Sequence, residues 1–322
     1  MREMTYAEAL AEAIYDSLAD DPSVTLVWGS MMGLAGAKLM APVRNDFADR
    51  ILDPPISEAG LAGIGVGAAL AGARPIIPFG TASFMFRAWD QILHEAATVR
   101  YMSNGAATAP IVFHALHGIR GGGAPQHSQS PQAMAWNAPG IEIVLASTPA
   151  DIKGLFRSAV KSDNPTVVFD HARLMAIKGP VPDGDYDIPF GVADIKRKGG
   201  DVTVVATSLQ VHTALAAAEV LAKDGIEAEI VDLRTLVPLD TEAILASLLG
   251  TGRLVVVDEC APRCSVASEI AATVAEEGFD LLKAPIRRVM RLDAPVPFSP
   301  TLEDRMSPRP EGIVDAVRSV MD

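Results

Sequence analysis

Short apolar runs of strand length alternate with stretches of helical periodicity along nearly the whole chain. That rhythm constrains the fold more than any other feature of the sequence. Residues 6–18 carry apolar side chains at helical spacing, and Asp20-Asp21-Pro22 stops them. Residues 24–28 form a short apolar run ending at Gly29, as strands buried on both faces do. A small-residue helix over 60–72 and a strand over 74–79 follow, then a predicted helix over 89–102 with Ile92, Ala96 and Val99 on one side. Residues 111–114 and 141–146 read as further buried strands, 151–161 as a helix opened by Ser147-Thr148-Pro149, and 166–170 as a strand. Residues 179–189 mix prolines, glycines and acids without a periodic face, and read as a surface connection. The rhythm then restarts, with strands over 201–207, 228–233, 254–258 and 286–292 and helices over 211–222 and 265–277. The prediction is an α/β protein of two domains, residues 1–180 and 196–322, joined by a linker over 181–195.

The length of 322 residues suits two domains of ordinary size. With 49% hydrophobic and 21% charged residues the chain is neither disordered nor fibrous. A formal charge of −13 repels polyphosphate and argues against nucleic-acid binding through a basic face. The cysteines, Cys260 and Cys264, cannot staple a chain of this length, which points to a reducing, cytoplasmic compartment. The opening Met1-Arg2-Glu3-Met4-Thr5-Tyr6 lacks the apolar run of a secretory signal, and the apolar stretch over 59–73 is too short and too rich in Ala and Gly to span a bilayer. No membrane partner is expected.

In open α/β sheets chemistry gathers where strand carboxyl ends meet helix N-termini. Glu58, in Pro55-Ile56-Ser57-Glu58, opens a nearly all-apolar helix; it reads either as a functional carboxylate or as an acid that complements the helix dipole. Gly121-Gly122-Gly123 precedes Gln126-His127-Ser128-Gln129, so His127 sits on a loop able to lay its backbone against a ligand. Pro78-Phe79-Gly80-Thr81-Ala82-Ser83-Phe84-Met85-Phe86-Arg87 is an aromatic turn, either a plug under the loop or a stacking platform. His114 and His117 match no common metal spacing, and the pair Cys260 and Cys264 is not a C-x-x-C motif and reads as structural. No Walker loop, G-x-G-x-x-G after a strand or G-x-S-x-G elbow is present. Asp183-Gly184-Asp185 lacks the downstream asparagine of a magnesium-diphosphate site.

Taken in order, these segments resemble the β subunits of thiamine-diphosphate-dependent 2-oxo acid dehydrogenases, in the transketolase-like superfamily. The resemblance rests on Pro55-Ile56-Ser57-Glu58, Ala71-Gly72-Ala73-Arg74-Pro75-Ile76, Gln126-His127-Ser128-Gln129, Val231-Asp232-Leu233-Arg234-Thr235-Leu236-Val237-Pro238 and Pro297-Phe298-Ser299-Pro300-Thr301-Leu302-Glu303-Asp304. Residues 258–265 and Lys283-Ala284-Pro285-Ile286 look most like the acetoin dehydrogenase branch. The resemblance implies two three-layer α/β/α domains, a transketolase-like pyrimidine-binding domain followed by a transketolase C-terminal domain. It also implies thiamine diphosphate as cofactor, with Mg2+ held mainly by an α subunit, an α2β2 assembly and a lipoyl-bearing acyltransferase as acceptor.

Residue by residue, Glu58 aligns with the glutamate that hydrogen-bonds a pyrimidine ring nitrogen and so promotes deprotonation of the thiazolium carbon. Phe84 aligns with the aromatic residue packed on that ring, with Gly80 and Arg87 placed at the cofactor beside it. His127 aligns with a histidine at the active-site mouth that guides substrate or lipoyl group and relays protons. The carbonyls of Ile111, Ala159, Ser162 and Asn164 align with a potassium site found in some relatives. Two departures stand out: Gly29-Ser30-Met31-Met32-Gly33 lacks the acidic pair usual in the family, and Pro78-Phe79-Gly80 lacks an acid before the turn. They make Met31, Met32 and Gly80 candidate pocket lining. They also motivate a second reading, a carboligase with a non-lipoyl acceptor; a third is a scaffolding β chain without chemistry.

Overall fold

The computed structural model describes residues 1–27 and 36–321, so Trp28 and the Gly29-Ser30-Met31-Met32-Gly33 segment lie outside the described residues. Contacts divide the chain into two units: residues 1–117 with 134–190, and residues 118–133 with 191–322. Segment 118–133, which carries His127, therefore groups with the second unit.

In the first unit six strands, β1 (Val24–Val27), β2 (Ile51–Leu52), β3 (Arg74–Thr81), β4 (Val112–His117), β5 (Glu142–Val144) and β6 (Thr166–His171), pair all-parallel in the order β5-β6-β4-β3-β1-β2. Helices α1 (Tyr6–Asp20), α2 (Glu58–Leu70) and α3 (Pro149–Lys161) flank the sheet. Thr5 caps α1 in a reciprocal box with Glu8, and Thr148 caps α3 with its hydroxyl on the Asp151 N–H. Helices α1 and α3 pack together on one face through buried Leu10, Ile14, Ile152 and Phe156. The opposite face takes α2, which buries Leu61 and Val66 together with the small residues Ala62, Gly65 and Ala69. A Cβ on Gly65 would stand 2.7 Å from Ile111 Cδ1 and 2.8 Å from Ile77, so only glycine lets α2 sit this low on the sheet.

The second unit repeats the plan. Strands β7 (Asp194–Arg197), β8 (Val202–Ala206), β9 (Ala228–Asp232), β10 (Leu254–Asp258) and β11 (Arg287–Met290) lie in the order β11-β10-β8-β9-β7, parallel except for β7. Helices α4 (Leu209–Lys223) and α7 (Pro310–Met321) bury Val211, Ala214, Ile313 and Val317 against Val204, Ile230 and Val255 on one face. On the other face α5 (Thr241–Thr251) reaches the sheet through Ser247 and Thr251, both bonded to Thr203 Oγ1 at 2.7 Å, and α6 (Val266–Glu277) packs beside it. Each unit is the three-layer α/β/α sandwich expected. No helix among the described residues is long and apolar enough to cross a membrane.

Two elements differ from the sequence reading. The predicted helix over 89–102 is a wide π turn, Asp90–Ala96, followed by a separate short helix, Val99–Met102. Between them the Thr98 hydroxyl donates to the His94 carbonyl, so a side chain takes an acceptor of the helical ladder. The connection over 179–189 is not wholly irregular either: Lys178–Val181 pairs antiparallel with Arg2–Thr5, a ribbon of four residues a side that is too short and too mixed in composition to give a periodic signal.

Candidate active site

Glu58 is the first residue of α2 and stands just past the carboxyl end of β2. Ser57 caps the helix by accepting the Gly60 N–H at 3.4 Å, which leaves the half-buried Glu58 side chain beside a helix N-terminus. Its place is set by the close seat of α2 on Ile77 and Ile111. On β3, the strand that α2 packs against, the pairing with β4 slips between Pro78 and Thr81, and Gly80 takes φ +72° at that bulge. The chain then enters a 3-10 turn, Ala82–Ala88, which buries Ala82, Met85 and Ala88, leaves Phe84 half-buried and exposes Arg87. This turn packs against α2. Glu58, Gly80 and Phe84 thus share the carboxyl edge of one parallel sheet. Gln91, on the π turn that also packs on α2, keeps Oε1 buried with no hydrogen-bond partner among the described residues.

His127 closes the 3-10 turn Pro125–His127 and is half-buried. Its loop is tied at the neck, where the Gly118 N–H donates to Gln129 O at 2.9 Å. The aromatic-flanked histidines upstream are not loop residues. His114 is fully buried in β4, with Nε2 2.6 Å from Asp170 Oδ2, while the Tyr6 hydroxyl donates to Asp170 Oδ1. His117 is paired with His171 across β4 and β6, the rings edge-on at 5.2 Å. Cys260 is buried, its thiol donating to Ser130 O at 3.3 Å; burial, then the neighbouring Asp258 carboxyl, push that thiol well above the usual range. Cys264 is exposed and free.

Of the four carbonyls aligned with a potassium site, those of Ile111 and Ser162 already accept from donors of this chain. Ile111 O accepts the Thr166 N–H at 2.9 Å. Ser162 O accepts Arg74 Nη1 at 2.9 Å, and the same nitrogen reaches Val160 O at 3.1 Å. The donor at Ser162 is itself a cation, which disfavours a second cation at that carbonyl. No cluster of three or more metal-ligating His, Cys, Asp or Glu side chains occurs among the described residues.

Sequence reasoning missed Tyr6, Asp170, Glu259 and Glu303. Tyr6 and Asp170 lie 164 positions apart, and Glu303 lies 182 from its partner Gly121, so no local spacing could pair them.

The transketolase pyrimidine-binding domain family matches residues 2–176 and the transketolase C-terminal domain family residues 191–313. Among curated relatives, the β subunit of acetoin:2,6-dichlorophenolindophenol oxidoreductase of Cupriavidus necator is 44% identical, covering 99% of this chain and 98% of its own. The 2-oxoisovalerate dehydrogenase β subunit of Bacillus subtilis is 42% identical over all of both chains. The β subunit of the pyruvate dehydrogenase E1 component of Rickettsia felis is 40% identical over 99% of this chain and 98% of its own. A solved split-gene transketolase, described as an inactive β4 tetramer, superposes with a TM-score of 0.80 at 22% identity, over 99% of this chain and 98% of that one, and shares the fold. The architecture is that of a transketolase-type protein. Within that class the chain belongs to the family of acetoin and 2-oxo acid dehydrogenase β subunits.

Proposed function

We propose that this chain is the β half of a thiamine-diphosphate-dependent enzyme. With an α subunit, in an α2β2 assembly, it cleaves the carbon–carbon bond beside the carbonyl of a 2-oxo acid or acetoin and passes the acyl group to a lipoyl-bearing acyltransferase. The observation that carries this reading is the placement, at the carboxyl edge of one sheet, of a half-buried carboxylate at the first residue of α2 and a half-buried aromatic ring on the turn after β3, two elements that pack together. That donor set fits the aminopyrimidine end of the cofactor: a carboxyl for a ring nitrogen and an aromatic face for the ring. When bound, thiamine diphosphate supplies the electron sink for the cleaved bond. Glu58 holds the proton shared with the ring nitrogen, fixed by the seat of α2 on the sheet. Phe84 packs on the ring and excludes water. His127 moves a proton at the acceptor during acyl transfer. The diphosphate and its magnesium would be held by the α subunit.

The test is calorimetry with and without an α subunit. The isolated chain is expected to hold thiamine diphosphate only weakly, and the reconstituted pair tightly with magnesium. Micromolar, magnesium-dependent binding by this chain alone overturns the two-subunit assignment.

A further inference from the structure

The loop that carries His127 contains three consecutive glycines, Gly121 to Gly123, and such a segment loses more backbone freedom on ordering than any other. It is nevertheless held at several points, all within the second unit. Glu303, 1% exposed at the end of the short helix Pro300–Glu303, accepts the N–H groups of both Gly121 (2.9 Å) and Gly122. Glu259, 4% exposed just past β10, accepts the Ile119 N–H at 2.7 Å and also the Ser307 hydroxyl and the Gln210 amide. Met306, one turn beyond Glu303, packs with Val296 on Ile119. Buried carboxylates bonded to backbone N–H groups are strong, directional ties.

The clamp is transmitted to the histidine. Gly121 and Gly122 take φ +90° and +70°, conformations that aim two successive N–H groups at one carboxylate. The next residue, Gly123, lies so close to the returning strand of the loop that a Cβ would meet Ser128 Oγ at 2.7 Å and His127 O at 3.3 Å. Ala124 then takes φ 51° and ψ −173°, a region nearly confined to glycine, which persists only where the surroundings impose it. His127 follows, its N–H directed at Ala124 O at 3.4 Å.

We infer that Glu303, supported by Glu259, is a positioning residue that sets the place of His127 by clamping the glycine loop. The inference rests on the reading of His127 as a group acting in acyl transfer, and it assigns the control of that step to a carboxylate of the C-terminal domain.

The experiment compares Glu303→Ala, Glu303→Gln and a control, Glu311→Gln, at an exposed acid on α7. In the full-length chain, amide hydrogen exchange over 119–128 is expected to quicken about ten- to a hundredfold in Glu303→Ala, as the loss of two charge-assisted bonds requires. Protection of β8 and β10 should stay unchanged. Carbethoxylation of His127, scored against exposed His94, should change in the same variant. Glu303→Gln, which keeps one oxygen acceptor, should fall between Glu303→Ala and wild type, and Glu311→Gln should match wild type. With the α subunit, Glu303→Ala should lower kcat for acyl transfer by about ten- to a hundredfold while KM for the first substrate and exchange at the thiazolium carbon hold. Unchanged loop exchange, or loss of protection across the whole second unit at once, overturns the inference. A wild-type pair without thiamine-diphosphate-dependent turnover would overturn the function reading instead, and the loop measurements would still decide the clamp.

Discussion

Removing the carboxylate of Asp170 should destabilise the first unit strongly, because it is the shared acceptor of a fully buried cluster. Tyr6, His114 and Asp170 are each 0% exposed, with the Tyr6 hydroxyl on Oδ1 and His114 Nε2 2.6 Å from Oδ2. They join the start of α1 to β4 and β6 beneath the layer formed by α1 and α3. Asp170→Ala strands the buried partners of both carboxyl oxygens at about 1–3 kcal/mol each, for a net loss of about 3 kcal/mol. Asp170→Asn keeps one oxygen and should lose about 1–2 kcal/mol. The perturbation is sharpest as a cycle. Adding Tyr6→Phe to Asp170→Ala removes a donor that is already stranded, so the pair of substitutions should cost less than the sum of the two singles, by about 1–2 kcal/mol. Trp89 and Trp136 fall within the first unit, so denaturant unfolding followed by tryptophan fluorescence reads that unit's transition. A midpoint for Asp170→Ala indistinguishable from wild type, or strict additivity in the cycle, refutes the reasoning.

Three further outcomes are expected. In the reconstituted enzyme Glu58→Gln should slow hydrogen exchange at the thiazolium carbon about a hundredfold or more while weakening cofactor binding only modestly; His127→Ala should leave exchange near normal and lower acyl transfer, and equal slowing by both refutes the division of roles. Burial, then Asp151, hold the Tyr186 phenol up at about 12, where it donates to Ala150 O. A raised folded value favours the protonated form, so this contribution is intact below about pH 10 and lost as pH rises toward about 12; difference absorbance of wild type against Tyr186→Phe checks it, and a phenolate forming near pH 10 contradicts it. At pH 8 iodoacetamide should label exposed Cys264 and spare buried Cys260 until denaturant is added, as peptide mapping will read out.

The alternation of β and α was legible because parallel strands buried on both faces are written as unbroken apolar runs, and Val202–Ala206 is buried at every position. What the sequence hid was of two kinds. Thr98 divides a helix through one hydroxyl on the His94 carbonyl, an event that hydrophobic periodicity does not register. The polar ties that fix the site join residues far apart: Glu259 to Ile119 across 140 positions and Glu303 to Gly121 across 182. Cys260 and Cys264 read as structural from their spacing, whereas nothing local marks Glu259 beside them as the acceptor of the Ile119 N–H. Glu58, Phe84 and His127 could be singled out from their surroundings, but their roles came from the family resemblance. An acid opening a helix carries no label of its own.

The two candidate groups are held by opposite means, and the difference suits the steps assigned to them. Glu58 rides on a helix locked by apolar contact, where Gly65 meets Ile77 and Ile111 too closely for even a methyl group. Such packing resists small displacements, as a proton held at one ring nitrogen demands. His127 rides on glycines held by hydrogen bonds to Glu303 and Glu259, with Val296 and Met306 packed on Ile119 at the loop's base. Those carboxylates are themselves almost fully buried, so the loop's place is set by directional bonds to the second unit's interior and not by close apolar packing. Replacing Gly65 should therefore disturb the first step and replacing Glu303 the last, through backbone placement alone.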